Sequence, residues 1–308
     1  MKTVIVVISA YNGAKHIERQ LDSIFEQVGV DVQVLVRDDC SKDNTVEVVQ
    51  EYAQNHPQNK IEIIKGENVG FAKSFWLGLS MCRDADYYAF ADQDDVWLSD
   101  KLEKSIEKIE TELKGTKKPI LYTSNQIMVD KNLKGSKMRF SEEPRHDLFG
   151  TICENKLYGC TMTFNKILKD EIAKLNVEDF EMVLDQRFHD TWCIVVANIV
   201  GTVVYDKEGR ILYRQHENNV VGVNDNLHYS ELVCNKLKKI FDKNKRNYRS
   251  NTSRAIVRCF PDIHDERIQL LSNCRKMNGK ISLLKKYYLF KDVYKPYIFV
   301  IYVLLELL

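Results

Sequence analysis

The sequence predicts an α/β fold built around a parallel sheet. Thr3–Ser9 is a continuous run of mostly β-branched residues, which is typical of a strand buried on both faces of such a sheet. Three further strand-like runs follow, separated by amphipathic helical segments: Val32–Val36, Ile61–Ile64 and Tyr87–Ala91. This alternation indicates a nucleotide-binding type of α/β sheet, whose ligands bind at the carboxyl ends of the strands.

The composition is ordinary for a soluble globular protein and argues against a nucleic-acid-binding protein and a zinc protein. The chain of 308 residues is 44% hydrophobic and 29% charged, and its net charge of +1 gives no reason to expect a nucleic-acid partner. Its eight cysteines are scattered without a Cys-x-x-Cys pair, so a zinc site is not expected. Because the chain opens directly on a strand-like run, we expect reduced thiols and a cytoplasmic location.

Three carboxylates follow the fourth strand-like run: Asp92, Asp94 and Asp95. Carboxylates at the end of a buried strand repel one another and resist desolvation, so a cation between them would stabilise them. Asp92 and Asp94 lean to the same side of an extended segment, which suits Mg²⁺ or Mn²⁺ together with phosphate oxygens and water. The alternative is a solvated acidic turn before a helix that starts near Ser99.

The second half of the chain predicts more strands and then a helical end. From residue 224 onward the pattern changes to basic helices. Before that point a helix is expected near Asp185–Ala197, and the strand candidates are Ile120–Tyr122, Asn125–Val129, Gly159–Phe164 and Ile199–Tyr205.

Polar residues follow each of the four N-terminal strands. In chain order they form the segments Ser9-Ala10-Tyr11-Asn12, Asp38-Asp39-Cys40-Ser41-Lys42-Asp43, Glu67-Asn68-Val69-Gly70 and Asp92-Gln93-Asp94-Asp95. In this order and spacing the chain resembles family 2 inverting glycosyltransferases of the GT-A fold, over about residues 3–222. The resemblance implies an α/β GT-A fold with a mixed central sheet and a helical C-terminal extension.

The same resemblance implies a division into domains. Residues 1–222 would form the catalytic domain, with a nucleotide-binding half over residues 1–98 and an acceptor-binding half over residues 99–222. Residues 223–308 would form the basic, mostly helical extension.

Roles in binding a sugar nucleotide are also implied by the resemblance. Asp38 or Asp39 would accept the imide N–H of uracil or thymine, and Asp39 is favoured. Asp92 and Asp94 would hold Mg²⁺ or Mn²⁺, which bridges both phosphates. His216 would be a further metal ligand, and Arg214 would contact the diphosphate. The implied nucleotide-binding residues are Ser9, Tyr11, Asn12, Asp38, Asp39, Asn68, Gly70, Lys73, Asp92 and Gln93.

The segment around Asp190 resembles the H-D-x-W form of rhamnosyltransferases in this family. By that likeness Asp190 is the base that deprotonates the acceptor hydroxyl, and His189 orients the substrate or the base. The alternative makes Asp185 and Asp190 a solvated or capping face of a helix. The implied acceptor-binding residues are Gly159, Cys160, Thr161 and Trp192; the alternatives are a core strand with a small residue and a core tryptophan.

The resemblance implies a metal-dependent, inverting glycosyltransferase of bacterial surface polysaccharide synthesis. The expected donor is dTDP-L-rhamnose, and the expected acceptor is a saccharide linked to a lipid carrier. A UDP-hexose donor is the first alternative, and a non-catalytic sugar-nucleotide or lipid-binding subunit is the alternative from another class. A nucleotidyltransferase is disfavoured, because Ala10-Tyr11-Asn12-Gly13 stands where a Gly- and Lys/Arg-rich phosphate loop would be needed.

The C-terminal residues combine positive charge with an apolar end. Lys236–Arg258 is strongly basic, and Tyr287–Leu308 is rich in aromatic and aliphatic residues. Two weak signals of this kind together can hold a protein on an anionic membrane, so peripheral attachment to the inner face of the cell membrane is one expectation. The other is a set of helices that pack on the catalytic domain with solvated charges.

Overall fold

A computed structural model describes residues 1–186, 189–215 and 247–304 of the chain. Its strands are β1 Lys2–Ala10, β2 Val30–Asp38, β3 Lys60–Lys65, β4 Tyr87–Ala91, β5 Val96–Trp97, β6 Ile120–Val129, β7 Lys137–Met138, β8 Thr163–Asn165 and β9 Thr202–Arg214. Its helices are α1 Ile17–Phe25, α2 Thr45–Asn55, α3 Phe71–Met81, α4 Lys101–Leu113, α5 Leu148–Cys153, α6 Lys166–Ala173, α7 Val177–Asp185, α8 His189–Val200, α9 Tyr248–Cys259, α10 Glu266–Asn273, α11 Met277–Lys285 and α12 Pro296–Leu304.

The strands form one mixed sheet in the order β3-β2-β1-β4-β8-β6-β9-β5, with β7 paired to β6. The first four strands in this order are parallel, as the alternation of strands and helices predicts. β8 is antiparallel to both β4 and β6, and β5 is antiparallel to β9. The predicted α/β fold with a mixed central sheet is therefore confirmed.

Helices cover both faces of the parallel strands. Val4, Val6 and Ile8 of β1 are fully buried in a core that includes residues of α1, α2 and α4. Val7 points to the opposite face, where α3 packs closely on the sheet. A Cβ added at Gly78 of α3 would lie 2.7 Å from Val7 Cγ1, so only glycine allows this approach. Burial on both faces explains why β1 reads as an uninterrupted apolar run.

Four elements differ from their predicted bounds. β6 is one strand rather than two, with register shifts on either side of Asn125. The predicted strand Gly159–Phe164 begins with a 3₁₀ helix, Gly159–Thr161, and the strand itself is β8. The helix expected near Asp185–Ala197 is replaced by α7 and α8, and β9 starts later because α8 extends to Val200. A Cβ at Gly159 would lie 2.6 Å from His189 Nε2, so this small residue reflects close packing.

The described chain divides into two compact units. The first comprises Met1–Leu148, Lys156–Lys174 and residues 189–215, and it contains the whole sheet. The second comprises Phe149–Asn155 and residues 175–186 and 247–304. The boundary predicted between residues 222 and 223 lies outside the described residues.

The second unit is helical and has its own polar contacts. In α9, Tyr248 Oη donates to the Thr151 carbonyl at 3.0 Å, and Arg249 Nε donates to the Cys153 carbonyl at 2.8 Å. The rings of Tyr248, Tyr294 and Tyr302 surround the Arg249 guanidinium at 5.2–5.7 Å. Among the described helices, none is both long enough and apolar enough to cross a bilayer.

Candidate active site

The loops after β1 and β2 are joined by side-chain to backbone hydrogen bonds. The Asn12 amide donates to Ser41 Oγ at 2.9 Å, and the Lys42 amide donates back to Asn12 Oδ1 at 2.8 Å. The Gly13 amide donates to Thr45 Oγ1 at 2.8 Å. Asn12 has a φ of +50°, a left-handed conformation that asparagine tolerates better than most residues. Asn12 therefore helps to fix both loops, and its contact with a nucleotide stays a prediction.

Gln93 connects the acidic loop after β4 to the loop after β1. The Tyr11 amide donates to Gln93 Oε1 at 2.9 Å, and Gln93 Nε2 donates to the Tyr11 carbonyl at 3.0 Å. A Cβ at Gly13 would lie 2.2 Å from Gln93 Oε1, so glycine makes room for this paired contact. Tyr11 itself is 40% exposed, which leaves its ring accessible.

A buried ion pair stands at the end of β2. Arg37 and Asp39 are both 3% exposed, and Arg37 Nη1 lies 2.6 Å from Asp39 Oδ1. Asp39 also accepts the amides of Val69 and Gly70 at 3.0 and 2.9 Å. Gly70 has a φ of +82°, a left-handed value that favours glycine, and it precedes the first residue of α3. Asp39 thus holds the turn that starts α3.

The carboxylate of Asp38 has a different environment. Its Oδ2 accepts the Ser41 amide at 3.0 Å, whereas its buried Oδ1 has no hydrogen-bond partner among the described residues. The sequence alone favours Asp39 as the acceptor of the base, but Asp39 is already bonded to Arg37 and two amides. Asp38 thus has an acceptor oxygen without a partner in the described residues, and which of the two carboxylates binds a base stays a prediction.

Asp92, Asp95 and Cys160 bring ligand atoms within 4.8 Å of one another. Burial, followed by the charge of Asp94, raises the pKa of Asp92 to about 7. Burial, followed by Asp92 and Asp94, also raises the pKa of Asp95 well above its usual range. Asp95 is 0% exposed, and its Oδ2 has no hydrogen-bond partner in the described part of the chain. Buried, mutually repelling carboxylates of this kind fit a divalent cation.

The acidic cluster adds two residues to the expected metal site, and the role of Asp94 as a ligand stays a prediction. Asp94 is near enough to affect the pKa of Asp92, but the carboxylate grouped with Asp92 is that of Asp95. Cys160, implied as an acceptor-binding residue, places its thiol beside both carboxylates instead. His216, the further predicted ligand, lies outside the described residues. Only the pairing of distant chain segments brings Cys160 to Asp92 and Asp95.

Asp190 lies in the first turn of α8, near the acidic cluster. Its Oδ1 accepts the Thr191 amide at 2.6 Å. Burial raises the pKa of Asp190 to about 6, and its charge in turn contributes to the raised pKa of Asp92. The solvated alternative fits Asp185, which is exposed at the end of α7, better than it fits Asp190. The predicted base and the predicted metal site therefore share one region.

Known proteins resemble this chain in sequence and in fold. The glycosyl transferase family 2 profile matches residues 5–170. The dTDP-rhamnosyl transferase RfbG of Shigella flexneri is 31% identical over 222 residues, which are 70% of this chain and 74% of that protein. The chain belongs to glycosyl transferase family 2.

Two further similarities extend the comparison. The putative teichuronic acid biosynthesis glycosyltransferase TuaG of Bacillus subtilis is 33% identical over 104 residues, which are 34% of this chain and 40% of that protein. The mannosyltransferase PcManGT of Pyrobaculum calidifontis, solved with GDP-Man and Mn²⁺, superposes with a TM-score of 0.54 at 15% identity. That superposition covers 98% of this chain and 85% of the other. The predicted GT-A fold is confirmed.

His189 does not have the polar role expected in this glycosyltransferase. Its ring stacks on Phe75 with centroids 4.4 Å apart, and its edges face Phe71 and Phe90. Neither ring nitrogen has a hydrogen-bond partner among the described residues. Burial lowers the pKa of His189 to about 3, so the imidazole is neutral. In this structure His189 is a packing residue and does not orient Asp190 by a hydrogen bond.

Two other predicted contact residues of the glycosyltransferase are buried. Trp192 is 0% exposed, so it is a core residue and cannot stack on an acceptor sugar here. Thr161 is also 0% exposed, and its Oγ1 lies 2.7 Å from Thr123 Oγ1.

Three nucleotide contacts stay predictions. Ser9 is half-buried at the end of β1, Asn68 is exposed, and Lys73 is half-buried in the first turn of α3.

Arg214 is buried and bonds to the backbone of the acidic loop. Its Nε donates to the Asp94 carbonyl at 2.8 Å, and its Nη1 donates to the Lys131 carbonyl at 3.0 Å. Its amide also donates to Asp95 Oδ1 at 3.2 Å. These contacts attach the acidic loop to the end of β9, and the diphosphate role of Arg214 stays a prediction.

Lys101 is a buried cation that the sequence analysis missed. It is 0% exposed, and its Nζ lies 3.8 Å from the centroid of the Trp97 ring, which is itself only 3% exposed. Nζ has no hydrogen-bond partner in the described structure. Burial lowers the pKa of Lys101 to about 7, although the ring favours the charged form. In the sequence, the available signal for this buried lysine was its position on the apolar face of α4.

Replacing Arg37 should test how much the site depends on the buried ion pair. Arg37→Met leaves Asp39 as an uncompensated buried charge, so we expect the free energy of unfolding to fall by about 3–5 kcal/mol in urea denaturation. Arg19→Met is the matched control, because Arg19 and Asp22 form an exposed pair at 3.8 Å. That variant should lose no more than about 1 kcal/mol. Equal losses in the two variants would contradict a special role for Arg37.

Proposed function

We propose that this glycosyltransferase moves L-rhamnose from dTDP-rhamnose to a saccharide, with inversion, in the synthesis of a bacterial surface polysaccharide. The observation that carries the proposal is a set of groups that could serve as a base acceptor, a divalent-cation site and a general base. These are Asp38, the cluster of Asp92, Asp95 and Cys160, and Asp190. The names of the Shigella and Bacillus relatives support the donor and the polysaccharide.

The donor would be recognised at both ends of its nucleotide. Asp38 would accept the imide N–H of thymine through its unbonded Oδ1. At the other end, Asp92 and Asp95 would hold a divalent ion, with Asp94 beside them. When bound, such an ion supplies positive charge that offsets the charge of the departing diphosphate. The PcManGT structure with GDP-Man and Mn²⁺ supports this class of donor and metal.

Asp190 would accept the proton of the attacking hydroxyl. Its pKa of about 6 is higher than that of an exposed aspartate, so it is a stronger base that is still ionised at neutral pH. The amides of Thr191 and Gly159 bond to this carboxylate and fix its position. Inversion follows if the acceptor approaches the sugar on the face opposite to the diphosphate.

A UDP-hexose donor is the second candidate, because Asp38 could accept the imide N–H of uracil as readily as that of thymine. A panel of dTDP- and UDP-sugars incubated with protein and Mn²⁺ separates the two, with release of nucleoside diphosphate as the readout. Turnover of dTDP-rhamnose above the UDP-sugars supports the proposal. Binding without turnover of any donor would favour a non-catalytic subunit instead.

Asp190→Asn should separate chemistry from binding. The change keeps the shape of the side chain and removes the basic carboxylate, so transfer should fall by about a hundredfold or more while donor affinity is retained. In the unaltered enzyme, transfer from saturating donor should fall as the pH drops through about 6, because Asp190 becomes protonated. A normal transfer rate combined with weaker donor binding in the variant would exclude this role.

Removing cluster carboxylates should change metal binding and stability in opposite directions. Asp95→Asn should weaken Mn²⁺ binding in calorimetry and lower the transfer rate by about 100- to 1000-fold. Without metal it should raise the melting temperature, because it relieves a buried like-charge contact. Asp84→Asn is the control, since that side chain is 75% exposed. Full transfer activity of the unaltered enzyme in EDTA would contradict the metal proposal.

We also propose that the second unit contacts an anionic membrane surface, where a lipid-linked acceptor would lie. Four exposed apolar residues on α12 repeat with helical spacing and form the α12 stripe: Tyr297, Val300, Ile301 and Leu304. On the other side of α12, Phe299 and Val303 are buried. Exposed lysines at positions 285, 291 and 295 lie nearby in the chain and suit an anionic leaflet, at about 1 kcal/mol each.

Charges placed on the α12 stripe should release the protein from vesicles. Val300→Glu combined with Ile301→Glu should abolish flotation with phosphatidylglycerol-containing vesicles at low salt, because both side chains lose apolar contact and repel the surface. Met81→Glu is the control, since Met81 is 47% exposed in the other unit. Unchanged flotation of the double variant would contradict the membrane proposal. So would a double variant that still floats but has lost a dimer that the unaltered protein forms.

A further inference from the structure

Arg139 differs from the buried arginines of the site. Arg37 is paired with Asp39, and Arg214 is bonded to backbone carbonyls. Arg139 follows β7 and is only half-buried. Its amide donates to the Gln126 carbonyl at 2.9 Å, and its Nη1 donates to Gln126 Oε1 at 3.0 Å. These two hydrogen bonds to Gln126 of β6 therefore fix both the backbone and the guanidinium of Arg139.

Two aromatic rings lie against the guanidinium of Arg139. Its Cζ lies 4.0 Å from the centroid of Tyr158 and 5.2 Å from that of Tyr213. A guanidinium has five N–H donors, so its contacts with Gln126 and Tyr158 leave donors for a ligand. An arginine stacked in this way is already ordered, so less entropy is lost when it binds an anion.

The residues that hold Arg139 also lead to the acidic cluster and the proposed base. Gln126 Nε2 donates to Cys160 Sγ at 3.1 Å, and Cys160 belongs to the acidic cluster. Tyr158 stands two residues before Cys160 in the chain, and Tyr213 is followed by Arg214, whose amide donates to Asp95 Oδ1 at 3.2 Å. The guanidinium therefore lies against two rings that border the acidic cluster.

We propose that Arg139 binds phosphate oxygens of a substrate at the active site. The group is either the donor diphosphate or the phosphate of a lipid-linked acceptor, and planar bidentate hydrogen bonds to phosphate are the chemistry common to both. The inference rests on the proposed function, because it presumes a sugar-nucleotide donor. Arg139 would add a phosphate contact to those that the sequence motifs imply, since two N–H groups of the Arg214 guanidinium already donate to backbone carbonyls.

Calorimetry with Arg139→Met tests the proposal. The probes are dTDP with Mn²⁺, thymidine, and inorganic pyrophosphate added to protein saturated with dTDP. Loss of charge-assisted hydrogen bonds should weaken binding of one phosphate probe about 10- to 100-fold and leave thymidine binding unchanged. A loss for dTDP identifies the donor diphosphate, and a loss for pyrophosphate alone identifies an acceptor phosphate.

Two variants guard against a purely structural effect. Arg139→Lys keeps the charge but not the bidentate geometry, so it should bind the affected probe with intermediate affinity. Arg145→Met is the matched control from the same connecting segment, because the Arg145 guanidinium is paired with Asp147. Unchanged phosphate binding by Arg139→Met, or an equal loss of thymidine binding, would overturn the proposal. Failure of the unaltered protein to bind any nucleotide would instead reject the proposed function.

Discussion

The buried ion pair between Arg37 and Asp39 is the interaction on which the ligand-binding edge of the sheet depends. Burying two charges is costly, and the cost is offset only when both are hydrogen-bonded in good geometry. Here Arg37 also bonds to Ser74 of α3, while Asp39 bonds to the two amides before that helix. A Cβ at Gly66 would lie 2.4 Å from Arg37 Nη2, so the turn after β3 is shaped around the guanidinium. One pair thereby fixes three segments.

The polar residues that follow the strands stabilise the scaffold itself. Asn12 and Gln93 use their side chains to join neighbouring loops, and Arg214 joins the acidic loop to β9. Loops of this kind carry function because a rigid framework positions them. Rigidity at this edge has a physical benefit, since a preorganised site loses little free energy to rearrangement when charge develops on the leaving group.

The acidic cluster is positioned by that rigid framework. Asp92 and Asp95 are held close together in a buried position, where both carboxylates resist ionisation. Such an arrangement lowers stability without a cation and gains stability when one binds, which links metal affinity to folding. Cys160 completes the cluster, and the charge of the neighbouring Asp190 contributes to the raised pKa of Asp92.

The sequence by itself determined the alternating strands and helices, the parallel half of the sheet and the carboxylates at its edge, because periodicity and strand-end position are local properties. Tertiary structure decided which side chains meet. It groups Asp92 and Asp95 with Cys160, and within the described residues it leaves Oδ1 of Asp38 without a hydrogen-bond partner while both oxygens of Asp39 are bonded. It also surrounds His189 with phenylalanines, an environment that no local pattern reports. Contacts between distant segments depend on how α8 and the loops pack on the sheet. The pattern of residues along the chain does not contain the distances between those segments.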